Sequence, residues 1–143
     1  MAYVHSNGMV GAMVEVACET DFVSKNEEFK QMAYDIAMHV AASRPEFLKK
    51  EDITDEARVL AESVFAKEVE GKPEDMKAKI LEGKLSAYFG ERVLLEQPFI
   101  KNPEMTIGAL IASAVQKFGE KTEIIRFVRY GLLEKWEILQ GTS

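Results

Sequence analysis

The strongest constraint on this chain is a strict alternation over residues 8–18. Val10, Ala12, Val14, Val16 and Cys18 fall on one side, and Met9, Gly11, Met13, Glu15 and Ala17 on the other. A period of two sends successive side chains to opposite faces of a strand, so one face belongs to a core and the other is less buried. Ser6-Asn7-Gly8 just before it is a turn signal. Tyr3-Val4-His5 then reads as the end of a preceding strand, paired as a hairpin. The strand is expected to end near Glu19. Residues 122–130, rich in β-branched and aromatic side chains, read as a further strand.

Between these strands the periodicity becomes helical. Ser24 and Glu27 have the spacing of a capping box. Phe29, Met32, Ala33, Ile36, Ala37 and Val40 form an amphipathic stripe that Pro45 closes. A second stripe, Ala57, Leu60, Ala61, Val64 and Phe65, starts after the stretch from Asp52 to Asp55. Gly71-Lys72-Pro73 ends it and opens a third helix, because proline is tolerated in a first turn. Met76, Ile80, Leu81, Leu85, Tyr88 and Phe89 line that helix, which Gly83 weakens slightly. Residues 93–100, interrupted by Pro98, read as an extended segment or short helix end rather than a central strand. Asn102-Pro103 reads as a turn, and Ile107, Leu110, Ile111, Ala114, Val115 and Phe118 mark a fourth helix ending near Gly119. Strands do not alternate with helices, so the expected class is α+β: a small antiparallel sheet of about three strands packed with about four helices. The glycine and proline hinges are too short to be linkers, so residues 1–143 are expected to form a single domain.

Composition narrows the function. With 143 residues, 47% of them apolar, the chain is long enough to bury a core without disulfides or metals. Its single cysteine excludes an internal disulfide framework and any multi-cysteine metal site, and a reducing compartment is the simpler expectation. The net charge of −6 repels nucleic acid and anionic membranes. Lys49-Lys50 is the only adjacent basic pair, so no basic stripe supports nucleic-acid binding. No apolar run approaches the roughly 20 residues that span a bilayer, and the N-terminus lacks the pattern of a signal peptide. A soluble, cytoplasmic protein is the expectation, with no direct nucleic-acid or membrane partner.

Catalytic constellations are scarce. There is no glycine-rich phosphate loop, nucleophile elbow or paired-histidine metal motif, so neither an enzyme nor a cofactor or metal site is expected. His39 reads as a flank histidine or a favourable charge near a helix C-terminus. Cys18 reads as a buried, inert thiol whose place at the strand end allows partial exposure. Glu15 and Glu19 fit a solvated strand face better than an acid–base pair. Arg126 and Arg129 fall on opposite faces of the last strand and make no phosphate clamp. Thr20-Asp21-Phe22-Val23 is harder to place. It falls between a strand and a helix, where loops are normally polar. A hydrophobic staple beside a Ser24 cap accounts for Val23. Phe22 has two readings, a core position or an exposed aromatic anchor for a partner pocket. On physics alone the core position ranks slightly ahead.

This motif, with its surroundings, resembles the core of elongation factor Ts. The resemblance runs through Tyr3-Val4-His5, Gly11, Val14-Glu15-Val16, the run from Cys18 to Val23, and Asn26. It continues through residues 37–42 with Pro45, Gly71-Lys72-Pro73, Ile80, Glu82-Gly83-Lys84-Leu85, Leu94-Leu95-Glu96-Gln97-Pro98-Phe99 and Ile125-Arg126-Phe127 with Arg129-Tyr130. It covers nearly the whole chain. The Thr-Asp-Phe-Val and Gln-Pro-Phe runs are specific in combination. The resemblance implies a protein that binds elongation factor Tu, the GTPase that delivers aminoacyl-tRNA, and speeds release of its GDP. It implies that Asp21 and Phe22, with Thr20, form the intrusive partner-binding motif. Phe22 would wedge into the nucleotide domain of the partner and displace elements that hold Mg²⁺ and phosphates. His5 would add a contact. A homodimer is a further implied partner state, since short-form members self-associate through this core. The family's N-terminal helical module is not seen, so a core lacking that module is expected. Residues 131–136 resemble the family's ending only loosely, and Leu132, Leu133 and Trp136 are candidates for apolar contact area. Self-association with little exchange is the second hypothesis. An unrelated small enzyme is the third, and the missing catalytic constellation counts against it.

Overall fold

In the computed structural model, which describes residues 1–132, the chain runs through β1 (Ala2–Val4), β2 (Val10–Ala17), α1 (Asp21–Ser24), α2 (Glu27–Ser43), α3 (Asp55–Glu68), α4 (Glu74–Gly90), β3 (Pro98–Phe99), β4 (Asn102–Thr106), α5 (Ile107–Phe118) and β5 (Glu123–Gly131). Two small antiparallel sheets accompany the helices, the α+β class that the periodicities indicate. Two compact units emerge: Met1–Arg44 with the described residues from Pro98 onward, and Pro45–Gln97.

The first unit is built on the alternating strand. β2 lies at the centre of the order β1-β2-β5, with Tyr3 opposite Ala12 and Val14 opposite Phe127. Gly8 (φ 71°) makes the β1–β2 turn, where His5 N donates to Val10 O and Asn7 Oδ1 accepts from Met9 N. Ala12 and Val14 are buried on the face that α2 covers. On the other face Glu15 pairs with Arg126 at 2.7 Å, beside a β-bulge at Glu15/Val16. The α2 stripe is filled as its spacing indicates, with Phe29, Ala33, Ile36, Ala37 and Val40 all buried. Arg44 takes a left-handed conformation (φ 51°) and Pro45 follows, so the helix stops where expected.

Three local expectations are corrected. The cap of α2 is Asn26, whose Oδ1 accepts from Glu28 N and Phe29 N at 2.8 and 3.3 Å. Ser24 instead closes α1, donating its hydroxyl back to Asp21 O. Burying Val23 requires a preceding turn of its own, and that turn absorbs Ser24. His39 is neither a flank residue nor an exposed terminal charge. It is fully buried, its Nδ1 accepts from Ile100 N at 3.2 Å, and its ring lies 6.1 Å from that of Phe99. Asn102-Pro103 begins β4, which pairs with β3 across a turn at Ile100 and Lys101. Proline is compatible here because this is a two-stranded ribbon made only of edges. Thr106 then caps α5, and Gly119 (φ 70°) ends it.

In the second unit Thr54 caps α3 and Pro73 sits at the start of α4. Phe65, Tyr88, Phe89 and Phe47 form an edge-on aromatic series with centroid spacings of 5.6, 5.0 and 6.3 Å. Arg92 lies 3.7 Å over the Tyr88 ring. Buried Gln97 donates from Nε2 to Glu91 O, a carbonyl just past the end of α4. The α3 stripe is only partly covered: Ala61 is buried, but Leu60 and Val64 are exposed, as is Val59 beside them. No helix among the described residues is long and apolar enough to cross a membrane.

Candidate functional site

Thr20 lies three residues past the end of β2 as the N-cap of the one-turn helix α1, which Asp21 and Phe22 begin, where the sequence alone suggests a loop. Thr20 is extended (φ −129°, ψ 155°), and its Oγ1 accepts from Val23 N at 3.4 Å. Val23 is 3% exposed and Phe22 is 85% exposed. Neighbouring helical residues point about 100° apart, so the turn that drives Val23 inward drives Phe22 outward. The core position that physics alone ranked ahead for Phe22 is therefore overturned. Asp21, also exposed, precedes it on the same turn.

The turn is anchored from outside. Glu120, between α5 and β5, accepts at Oε1 from Glu19 N (3.1 Å) and Thr20 N (3.0 Å). Its Oε2 accepts from the Thr20 hydroxyl at 2.6 Å. Glu19 Oε2 accepts in turn from Lys121 N at 3.1 Å. Cys18 is half-buried rather than core, with Sγ 3.3 Å from Thr20 O.

His5 is elsewhere. It follows β1 at the end of the sheet where β2 begins, whereas Thr20 follows the other end. Seven strand steps of ~3.3 Å separate those ends by about 23 Å. His5 is exposed, its Nδ1 is 2.9 Å from the Tyr3 hydroxyl, and with Tyr3, Val10, Met38, Ala41 and Ala42 it lines a mostly apolar hollow of about 220 Å³. Thr20, Asp21 and Phe22 are thus brought together on one turn, and His5 lies at the other end of the sheet.

The site offers an aromatic ring and a carboxylate on a fixed turn, which suits contact with another macromolecule. Among the described residues no cluster of His, Cys, Asp and Glu could hold a metal ion. The family model described as elongation factor TS matches residues 1–134. The chain belongs to the elongation factor Ts family. It is 45% identical over 135 residues to elongation factor Ts of Carboxydothermus hydrogenoformans, covering 93% of this chain and 62% of that protein. Against that of Thermodesulfovibrio yellowstonii it is 47% identical over 130 residues, covering 90% and 65%. For Syntrophus aciditrophicus the figures are 46% over 136 residues, 94% and 68%. The chain thus spans about three fifths of the length of the first relatives it matches.

In this family member, residue-level reasoning without the structure missed Glu120 and the part played by Glu19. Glu120 stands in no recognisable motif and Glu19, though inside the Cys18–Val23 run, reads there as a solvated strand residue, since each acts on a segment about a hundred residues away. Gly119 as a helix terminator was the only local signal that the chain turns there. Leu133 and Trp136, the apolar tail candidates, lie outside the described residues.

Proposed function

We propose that this chain acts as one core domain of a guanine-nucleotide exchange factor, which binds elongation factor Tu and promotes GDP release during translation elongation. The observation that carries the reading is the exposure of Phe22 on a turn that is capped, packed through Val23 and tied to a distant loop. Exposing a large aromatic ring gains nothing for folding, and a rigid aromatic is a typical binding anchor. Asp21 adds a carboxylate beside it, Thr20 shapes the turn, and His5 makes a separate contact from the far end of the sheet.

Exchange needs no acid, base or cofactor. It needs a binder that prefers the nucleotide-free GTPase to the GDP-bound form. Linkage then makes the binder weaken GDP by the same factor. A ring whose pocket exists only in the distorted partner supplies such a preference. The test is release of a fluorescent GDP analogue from preloaded elongation factor Tu. The chain accelerates release, and Asp21→Ala impairs it with an unchanged melting temperature. A collapse of melting temperature on that substitution would make Asp21 structural, and no acceleration by the unaltered chain would refute the reading.

Self-association is a second reading, favoured by the outer face of the three-stranded sheet. Val4, Met13, Val128 and Tyr130 are all exposed on β1, β2 and β5. These apolar side chains, beside the exposed Glu15–Arg126 pair, offer a surface that a second copy could cover. Light scattering that returns twice the monomer mass, reduced to one by Val128→Lys, supports it. A monomer mass at high concentration refutes it.

A further inference from the structure

Glu120 does more than decorate the turn between α5 and β5. A helix of four residues does not hold itself, because nucleation fixes several dihedrals for a single hydrogen bond. Its order must come from outside, and two sources are visible: the buried Val23 side chain and the Glu120 carboxylate. The carboxylate contributes in a directed way. A hydroxyl has one proton and two lone pairs, and an ionised carboxylate only accepts. The short bond from Thr20 Oγ1 to Glu120 Oε2 therefore fixes where the hydroxyl proton points. That leaves the Thr20 lone pairs for Val23 N, which is the capping bond of α1. Meanwhile Oε1 holds the Glu19 and Thr20 amides, and Glu19 returns the contact through Lys121 N.

We infer that Glu120 is the positioning residue of the Asp21–Phe22 turn, acting through the Thr20 hydroxyl and the two amides before it. Its consequence for a partner rests on the exchange reading given above. A turn ordered in advance has less conformational freedom to lose on binding, so Glu120 sets how well Phe22 performs without being needed in the contact itself.

The experiment compares the unaltered chain with E120A and E120Q by amide hydrogen exchange, together with release of fluorescent GDP from preloaded elongation factor Tu. E120A removes all three acceptor contacts. It is expected to speed exchange of the Val23 and Ser24 amides by about tenfold, with Ile36 and Val40 in α2 unchanged. E120Q is nearly isosteric and keeps one oxygen for the amides, but offers an N–H to a hydroxyl that now has to turn. Its exchange is expected to lie between the other two, and acceleration of GDP release is expected to fall in the same order. Unchanged exchange at Val23 and Ser24 in both variants, or a rise shared equally by Ile36 and Val40, overturns the inference. The exchange readout needs no partner. If the unaltered chain fails to accelerate GDP release, the partner reading fails, and the ranking of the amides still decides the role of Glu120.

Discussion

The two units of this chain use similar amphipathic helices to different ends. In the sheet unit the α2 stripe is closed: Ile36, Ala37 and Val40 have no exposed surface. In the helical unit the α3 stripe is open, with Leu60 68% exposed although its spacing repeats that of α2. The sheet supplies α2 with a wide apolar floor of Ala12 and Val14. The α3–α4 pair relies on a narrow row of aromatic rings instead. Periodicity thus indicates which face of a helix is apolar, but not how much partner surface will cover it. The same distinction applies to α1, where one turn holds both the buried Val23 and the exposed Phe22.

The largest expected effect is in the sheet unit. Ile36→Ala should destabilise by about 3 kcal/mol, the cost of deleting a side chain from a sealed site, as read from urea unfolding. A loss below about 1 kcal/mol would show that the α2 contact is loosely packed. His39→Ala comes next. It leaves the Ile100 amide without the acceptor it uses, at a cost of about 2 kcal/mol, and differential scanning calorimetry would register the lower melting temperature. Leu60→Ala in the helical unit should change stability by no more than about 0.5 kcal/mol. A loss like that of Ile36→Ala would erase the contrast between the units. Arg126→Ala should have a similarly small effect, within about 1 kcal/mol, because the Glu15 pair is solvent-screened. Raising salt should shrink that difference further.

Legibility followed the range of the interactions. The β1–β2 hairpin, α2 and β5 are set by periods and turn residues within a few positions, and they stand close to where the sequence indicates. The Ser24–Glu27 box was misread because two nearby residues, Thr20 and Asn26, each have a better claim to a cap. Choosing between them depends on Val23 being buried, which is a tertiary fact. His39 could not be placed because its partner is 61 residues away. For the site, the resemblance alone singles out Thr20, Asp21 and Phe22, while the outward direction of Phe22 was not legible. That direction depends on a cap whose hydroxyl is oriented by Glu120, 100 residues away.

The most direct test of the central claim is the rate at which fluorescent GDP leaves preloaded elongation factor Tu in the presence of Phe22→Ala. The exposed ring contributes nothing to the core, so the variant should melt like the unaltered chain and its acceleration of release should drop by roughly 30-fold. Equal acceleration by the two proteins would contradict the wedge.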